Sequence, residues 1–373
     1  MRSLLACTVA LGVTHATSAA TFSITHFGTP PEAQAAIAHA AAIWGGILES
    51  DVPIKVAVSW FPLGSAALGV TFPNGRKDFP GVPVPSTWYA TALANSITGT
   101  ELNPGEDDIN VYLNSSAAWY YGVDGNTPPG QYDLVSIALH ELGHGLGFVG
   151  LAKKVGAEGS FGQVQISDFG PLITTFPWPE QEGLPGIFDR HLTSTAQGEL
   201  HLLENPGTAL GSAFTSNQVY FNGPFAAAAN AGQSARIYAP AAFALGSSCV
   251  HLNEATFPVG NPNELMTPFS SAGQANHWPG PIAIGVMRDI GWVVTPEVGM
   301  TERTPSMPWS VRLGQAVIAV EGLPPGTPLQ LMDAGGRTVA AASAPEAMPT
   351  VHLAPGAYLL RGGNHGVRRV ALP

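Results

Sequence analysis

The chain has 373 residues, which is long enough for two domains and for a substantial buried core. Hydrophobic residues make up 45% of it and charged residues only 11%, with 44 Gly and 33 Pro, so we expect a loop-rich globular protein and not a disordered one. The formal net charge of −11, with 15 Lys plus Arg, argues against a nucleic-acid partner, which would need a basic surface.

Residues 1–20 have the pattern of an export signal. Arg2 supplies positive charge, the apolar run Leu4–Val13 is too short to span a bilayer, and small residues ending at Ala20 offer a cleavage site. We therefore expect an exported protein, secreted or held in the periplasm or at the cell surface. No later apolar run reaches the roughly 20 residues of a membrane helix, so we expect no transmembrane segment after signal removal.

The next elements follow from hydrophobic periodicity. Pro31–Ser50 is predicted as a helix with one apolar face. Ile54–Trp60 and Asp108–Asn114 alternate apolar and polar residues, which is typical of half-buried strands, and a short helix is expected near Trp88–Ser96. With the helix that follows, this order predicts a mixed α/β (α+β) layer structure.

A third helix is predicted for Gln131–Phe148, where apolar residues recur at helical spacing. His140 and His144 are four residues apart, so their imidazoles lie one turn apart on the same face and aim at one point. This is the separation that two ligands of a single Zn²⁺ need. Glu141 follows the first histidine, where its carboxylate can reach a water at the metal and act as general base.

Three glycines surround this motif. Gly143, Gly145 and Gly147 each cost a helix about 1 kcal/mol relative to Ala. Helix stability alone therefore does not explain why glycine stands at these positions. The alternative interpretation is a solvated helix face with two hydrogen-bonded histidines. The strong periodicity, the glycines and the export signal together favour one catalytic zinc ion.

A third ligand must come from elsewhere in the chain, and several donors are available. Glu158 or Asp168 would make a site of two histidines and one carboxylate. His251 lies a short distance before Met266, in a stretch that ends "NELMTPF". The other downstream histidines are His191, His201, His277, His352 and His365.

The motif formed by His140, Glu141, His144 and Gly147 resembles the signature of the metzincin zinc peptidases, H-E-x-x-H-x-x-G-x-x-H followed by a distant methionine turn. The sequence departs from that signature at Gly150, where the family has its third histidine. It is similar in this respect to leishmanolysin-type metzincins, in which an insertion separates the glycine turn from a third histidine placed shortly before an E-L-M-x-P methionine turn.

The resemblance extends over about Gln131–Trp292 and implies a metzincin-like catalytic domain. By this resemblance His251 is the third zinc ligand, Gly147 turns the chain in a left-handed conformation, and Met266 forms a hydrophobic floor under the metal without binding it. The family's rim strand precedes its zinc helix, so the strand Asp108–Asn114 is expected at the cleft edge. Asn110 and Tyr112 are then possible contacts for a substrate strand.

Some other residues each have two possible roles. Pro268 stands where several metzincins have a tyrosine that stabilises the transition state, so His277 and Tyr238 are weak candidates for that role, each with a structural alternative. Cys249 is either a further zinc ligand or a small buried residue. Because Cys7 lies in the signal, the mature chain has one cysteine and no internal disulfide.

The sequence divides into regions of different composition and hydrophobic pattern. We expect a catalytic domain at 21–295 with an insertion at about 151–249 made of loops, a short strand and a small helix. A Pro/Thr-rich linker follows at 296–309. Short β-like runs separated by Gly and Pro predict a small all-β, sandwich-like domain at 310–373.

These patterns together predict an exported zinc-dependent endopeptidase with a protein or peptide substrate. The alternative is a catalytically inactive zinc-binding or adhesive exported protein of the same fold. The sequence carries no information on the oligomeric state.

Overall fold

The computed structural model of the protein divides into two compact units, residues 1–300 and 301–373. The division falls inside the predicted linker 296–309, which itself lies outside the described residues, as do residues 1–17 of the predicted signal. The structure describes residues 18–64, 67–169, 178, 181–295, 310–314, 317–332, 338–349, 353, 356–362 and 367–372.

Helices of the first unit flank several small sheets, so the predicted α+β class is confirmed. Within the described residues, no helix is both long and apolar enough to cross a bilayer. The helices are α1 (Pro31–Gly45), α2 (Thr91–Thr98), α3 (Leu134–Gly145), α4 (Thr208–Ala213), α5 (Pro224–Ala229) and α6 (Pro281–Ile290). The strands are β1 (Phe22–Phe27), β2 (Leu48–Glu49), β3 (Ile54–Phe61), β4 (Gly69–Pro73), β5 (Gly75–Lys77), β6 (Trp88–Ala90), β7 (Ile109–Asn114), β8 (Trp119–Tyr120), β9 (Tyr132–Asp133), β10 (Ala152–Val155), β11 (Glu158–Phe161), β12 (Leu192–Ser194), β13 (Gly198–Glu199), β14 (Val219–Phe221), β15 (Ala235–Ile237) and β16 (Val293–Val294).

The largest sheet of the first unit has the strand order β1-β3-β7-β4. β1, β3 and β7 are parallel, and β4 pairs antiparallel with β7 at one edge. Alternation along β7 leaves Ile109, Val111 and Leu113 buried, on the face that packs against α3. β4 therefore ends the sheet beside the helix that carries the histidine motif.

Helix α3 is held between this sheet and α1. The indole Nε1 of Trp44 on α1 donates to the carbonyl oxygen of Leu139 at 2.9 Å. At the N-terminus of α3, the Asp133 side chain accepts from the Ser136 amide at 2.7 Å, which caps the helix. The apolar stripe predicted for this helix is buried, and the motif is therefore fixed from two sides.

All three predicted helices have different boundaries in the structure. α3 spans Leu134–Gly145, which is shorter at both ends than the predicted Gln131–Phe148. α1 ends at Gly45, and Leu48 lies in β2 instead of continuing the helical face. A Cβ at Gly45 would overlap the carbonyl oxygen of Ala20, so glycine at the last position of the helix lets the N-terminal segment pack closely against it. The short helix predicted from Trp88 begins at Thr91, because Trp88–Ala90 pair with β5 as β6.

The insertion contains more sheet than the predicted single strand. β10 and β11 form a hairpin, and β12 to β15 form an antiparallel sheet in the order β13-β12-β14-β15, with α4 and α5 nearby in the chain. These strands have two to four residues, which is too short for alternation to be recognised in the sequence.

Residues at the end of the predicted signal belong to the fold. Ala20 is buried, and its amide donates to the carbonyl oxygen of Leu48 at 2.8 Å. Ala19 forms a bridge with Glu49. The packed part of the first unit thus includes residues that the pattern assigns to the signal, and the boundary at Ala20 stays a prediction.

The second unit is all β in its described residues. Its strands are β17 (Ser310–Gly314), β18 (Val317–Glu321), β19 (Pro328–Met332), β20 (Thr338–Ser343), β21 (Met348–Pro349), β22 (Gly356–Gly362) and β23 (Val367–Leu372). They form antiparallel sheets in the orders β17-β18-β21 and β20-β19-β22-β23. Ile318 from one sheet and Leu331 and Leu360 from the other share one buried cluster, as in a small sandwich.

Candidate metal centre

Three imidazoles converge in the first unit. The Nε2 atoms of His140 and His144 are 3.0 Å apart, those of His144 and His251 are 3.1 Å apart, and those of His251 and His140 are 3.3 Å apart. His144 and His251 are only 9% and 5% exposed. Among the described residues this is the group whose ligand atoms could together hold a metal ion.

The outer nitrogens of these rings fix their protonation. His140 Nδ1 lies 2.6 Å from the Leu265 carbonyl oxygen and His144 Nδ1 lies 2.7 Å from that of Phe148. His251 Nδ1 is 2.9 Å from the Ser247 carbonyl oxygen. A carbonyl oxygen only accepts, so each Nδ1 carries the proton and each Nε2 presents a lone pair.

Three lone pairs therefore face one another. Burial lowers the pKa of all three imidazoles, and the nearby rings lower it further at His144 and His251, so the group is neutral at pH 7. Nitrogens bound to one Zn²⁺ at tetrahedral angles and usual bond lengths stand about 3.3–3.4 Å apart. The observed separations are close to this value, so the donors fit a metal ion of that size.

Glu141 lies beside this group against the edge strand. It is 5% exposed, and the hydroxyl of Thr71 on β4 donates to its Oε2 at 2.7 Å. A Cβ on Gly69 would overlap the Glu141 carboxylate, so glycine allows the strand to approach it. Burial raises the pKa of Glu141 to about 7, and the Thr71 hydrogen bond opposes the shift.

A short turn joins the two segments that supply the histidines. Glu264–Met266 forms one 3₁₀ turn, in which Leu265 accepts from His140 and the Met266 carbonyl oxygen accepts from the Leu252 amide at 2.8 Å. Met266 is fully buried, and a Cβ at Gly143 would stand 2.8 Å from its sulfur. Gly143 thus lets the methionine pack directly against α3.

The glycine turn after α3 has the expected conformation. Gly147 has a φ of 121°, which side chains disfavour, and it redirects the chain away from the helix. The next residues bring the Phe148 carbonyl oxygen to His144.

Gly150 is the position at which the sequence departs from the metzincin signature. Its surroundings in the structure explain why this position has no side chain. A Cβ at this position would overlap Oδ1 of Asp189. The other carboxylate oxygen, Oδ2, accepts from the amides of Leu151 and Gly186 at 2.8 Å each. The place where a side chain would begin is therefore filled by a buried carboxyl group from the insertion.

The histidine group lies in a cleft of about 900 Å³. The cleft is lined by residues of β4, by the face of α3 that carries the two histidines, and by residues of the segments 245–251 and 264–276. The charged side chains among the described lining residues are Glu141, Asp168 and Glu264, and no Lys or Arg is present there. Asp168 is paired with Lys153 at 2.7 Å.

The prediction of β7 as the cleft edge is wrong. β7 is hydrogen-bonded to β3 on one side and to β4 on the other, so it has no free backbone edge. Asn110 and Tyr112 lie on the opposite face of β7 from the residues that pack against α3, and neither lines the cleft. β4 occupies the edge position instead.

The other candidates lie outside the histidine group. Cys249 is buried, with a φ of 67°, and burial raises the pKa of its thiol. Its sulfur is not among the converging ligand atoms, which agrees with the alternative of a small buried residue. His277 Nε2 bonds the Asp133 carboxylate at 2.8 Å, and Tyr238 packs against Phe269. Neither His277 nor Tyr238 lines the cleft.

The remaining donors considered as third ligands are not part of the group either. His191, His201 and Glu158 lie elsewhere in the described residues, and Asp168 lines the cleft but is not among the converging ligand atoms. His352 and His365 fall outside the described residues.

Three residues that shape the site do not stand out in the sequence. Gly69 and Thr71 lie in a Pro/Gly-rich stretch without clear periodicity, and Asp189 lies in the insertion. "GVTFP", residues 69–73, does hold Val70 and Phe72 in alternation, and this weak strand pattern is the signal that could have indicated β4.

Comparison with known proteins gives one partial similarity. A family model described as SPBPB7E8-like matches residues 87–154. This segment runs from β6 through α3 to β10 and includes His140, Glu141 and His144, but it ends before His251. No curated protein and no solved structure matches the chain.

Proposed function

We propose that this protein is a zinc-dependent endopeptidase. The observation that carries the proposal is the set of three neutral imidazoles whose lone pairs meet without a proton between them, with a buried carboxylate beside them in a cleft. Lone pairs repel one another, so a cation bound among them would stabilise this arrangement. His140, His144 and His251 would hold Zn²⁺, whose preference for three histidines and an open position suits hydrolysis.

Zn²⁺ bound by these three histidines would supply a Lewis acid, which makes a water molecule nucleophilic and polarises a carbonyl group. Glu141 takes the proton of the attacking water and delivers it to the leaving amine. The Thr71 hydroxyl holds one carboxylate oxygen of Glu141 and leaves the other for this proton. A pure binding site has no need of such a base.

Strand β4 is suited to bind the substrate backbone. It pairs with β7 on one side only and lines the cleft on the side of Glu141. A peptide in extended conformation can add to this edge through main-chain hydrogen bonds, which brings its carbonyl groups to the base of the cleft. We assign to β4 the role that the resemblance suggested for β7.

The test combines zinc content with peptide cleavage. Wild-type protein is expected to bind one Zn²⁺ and to cleave a mixed peptide library at internal bonds, with loss of both on chelation. His251→Ala should lose zinc and activity, whereas Glu141→Gln should keep zinc and lose at least about 10²-fold in kcat. His201→Ala serves as a control histidine variant and should behave as wild type.

Two outcomes would contradict the proposal. Full zinc retention in His251→Ala would show that the three-histidine site is wrong. One bound zinc without any cleavage of the library would instead support the alternative of an inactive zinc-binding protein.

A further inference from the structure

The loop that follows α3 holds the outer nitrogen of one of the three histidines. The Phe148 carbonyl oxygen accepts from His144 Nδ1 at 2.7 Å, and this bond fixes both the proton on Nδ1 and the orientation of the ring. The acceptor is a backbone group, so its position depends on the contacts that hold residues 148–151. Gly150 and Leu151 of the same loop line the cleft. The position of this loop therefore affects both His144 and the cleft.

Two consecutive residues of the insertion hold this loop. The rings of Phe148 and Phe188 are fully buried and pack with their centroids 4.9 Å apart. Asp189 Oδ2 accepts from the Leu151 amide at 2.8 Å, and Oδ1 occupies the space in which a Cβ of Gly150 would lie. Phe188 and Asp189 thus contact the loop at both of its ends.

The segment that carries these two residues is itself fixed. Asp189 Oδ2 also accepts from the Gly186 amide at 2.8 Å, and the Ile187 amide donates to the carbonyl oxygen of Trp88 on β6 at 2.8 Å. Asp189 is fully buried, and its Oδ1 has no hydrogen-bond partner within the described part of the chain. A buried carboxyl group with an unpaired oxygen is unfavourable for stability, which points to a role other than stability.

We propose that Asp189, assisted by Phe188, is a positioning residue for the metal site: it fixes the 148–151 loop so that the Phe148 carbonyl oxygen orients His144. This inference rests on the zinc site of the proposed function. Among the described residues, Asp189 and Phe188 neither line the cleft nor belong to the converging ligand atoms, so they act through the loop. The insertion that separates His144 from His251 along the chain then also orients the first of them.

The zinc affinity of the full-length protein measures this role without any need for cleavage. Asp189→Ala removes the acceptor of the Leu151 amide and should weaken zinc binding about tenfold, as loss of a ligand's outer hydrogen-bond partner does. Asp189→Asn keeps an oxygen acceptor for both amides and should bind zinc within about threefold of the wild type. Competition with a chelator gives these values, at a temperature at which urea titration shows every variant to be folded.

A second readout reports the geometry of the ligands and not the stability of the fold. Co²⁺ bound in place of Zn²⁺ absorbs visible light in a way that depends on its coordination geometry. We expect the Co²⁺ spectrum of Asp189→Ala to differ from that of the wild type and the spectrum of Asp189→Asn to match it. Phe188→Leu loosens the ring contact with Phe148, leaves the carboxyl group in place, and should weaken zinc binding about threefold.

Asp289→Ala is the matched control. Asp289 also accepts two amides of the insertion, those of Phe225 and Ala226 at 3.0 and 2.8 Å. These amides belong to α5, and Asp289 is not among the residues that line the cleft. Its removal should leave both the zinc affinity and the Co²⁺ spectrum unchanged.

The positioning role is overturned if Asp189→Ala and Phe188→Leu keep the wild-type zinc affinity and Co²⁺ spectrum, or if Asp289→Ala weakens zinc binding as much as Asp189→Ala. If Asp189→Ala does not fold, the same two measurements on Phe188→Leu decide. Failure of the peptidase function looks different: the wild-type protein would bind zinc and leave peptides uncut, while the effects of Asp189→Ala on affinity and spectrum persist.

Discussion

At the scale of single residues, Asp189 shows how a carboxyl group from the insertion shapes the loop after α3. It is fully buried, and its Oδ1 is without a hydrogen-bond partner among the described residues while Oδ2 accepts two amides. Burial raises the pKa of Asp189 to about 7, and the two amide hydrogen bonds only partly oppose this effect.

This pKa makes stability depend on pH in a definite direction. The folded pKa is above the unfolded value of about 3.9, so between pH 4 and 7 the folded state binds a proton that the unfolded state has lost. The free energy of unfolding should therefore fall as pH rises to about 7 and then level off. Asp189→Asn should remove this contribution, which is at most about 4 kcal/mol.

Urea denaturation at pH 5, 6, 7 and 8 checks this prediction. The stability of Asp189→Asn relative to wild type should increase across this range up to pH 7. Asp51→Asn, at an exposed position of the same unit, should track the wild type. A constant difference between Asp189→Asn and wild type at all four pH values would contradict the role assigned to burial.

Thr71 gives a second residue-scale prediction. Its hydroxyl is the side-chain partner of Glu141. Thr71→Val keeps the shape but removes the donor, so the proposed base loses its orientation and kcat should fall about tenfold, with zinc content and KM little changed. Thr71→Ser should restore most of the activity. An equal loss in Thr215→Val, which is not part of the cleft lining, would show that the effect is not specific.

At the scale of elements, the N-terminus of α3 depends on one buried carboxylate. Asp133 accepts from the Ser136 amide and hydroxyl, from the Thr127 hydroxyl at 2.9 Å and from His277. The His277 and Ser136 contacts together tie the cleft wall near Asn276 to the first turn of the helix, since the Asn276 amide donates to the Ser136 hydroxyl at 2.7 Å. The Asp133 cap thus stabilises both the first turn of α3 and the cleft wall near Asn276.

Asp133→Ala should lower the free energy of unfolding by about 2–3 kcal/mol, because it removes the helix cap and leaves several donors without an acceptor. Thermal or urea unfolding measures this directly. Asp124→Ala, which removes an exposed partner of Tyr120, provides the comparison and should lower the free energy of unfolding much less, because the carboxylate it removes is exposed.

The sequence is informative where an element carries its own pattern. α3 is predictable because its apolar stripe is long and periodic, and His251 is indicated by the short motif around Met266. The order of strands in the sheet is not predictable in the same way. β7 is a clear strand in the sequence, but the order of elements along the chain does not show that β4 pairs with it and forms the edge of the sheet. β4 has only five residues and lies in a Pro/Gly-rich stretch. The contacts of Thr71 and Asp189 depend on tertiary approach, which no local pattern encodes.

At the scale of the whole molecule, the two units have separate cores. The buried apolar cluster that includes Trp44, Leu139 and Met266 belongs to the first unit, and the cluster that includes Ile318 and Leu360 belongs to the second. The histidine group lies entirely in the first unit. Metal binding is thus expected to stabilise only one of the two.

Calorimetry of the full chain tests this independence. We expect two unfolding transitions, of which one shifts upward with Zn²⁺. At a free zinc concentration of about 100 Kd the stabilisation is about 2.7 kcal/mol, which for a unit of this size corresponds to a shift of about 4–5 °C. The other transition should stay in place. Equal shifts of both transitions would show that the units unfold together.

The distance in sequence between His144 and His251 has a consequence for the folding of the first unit. These residues are 107 positions apart, and the chain between them includes the whole insertion. An ion held by both closes a large loop in a chain that has one free cysteine among its described residues. Closure of such a loop restricts the unfolded ensemble, as a covalent cross-link would. Metal binding and ordering of the cleft wall would then be one cooperative event. Without the metal, the segments that carry His144 and His251 would no longer be cross-linked at the cleft.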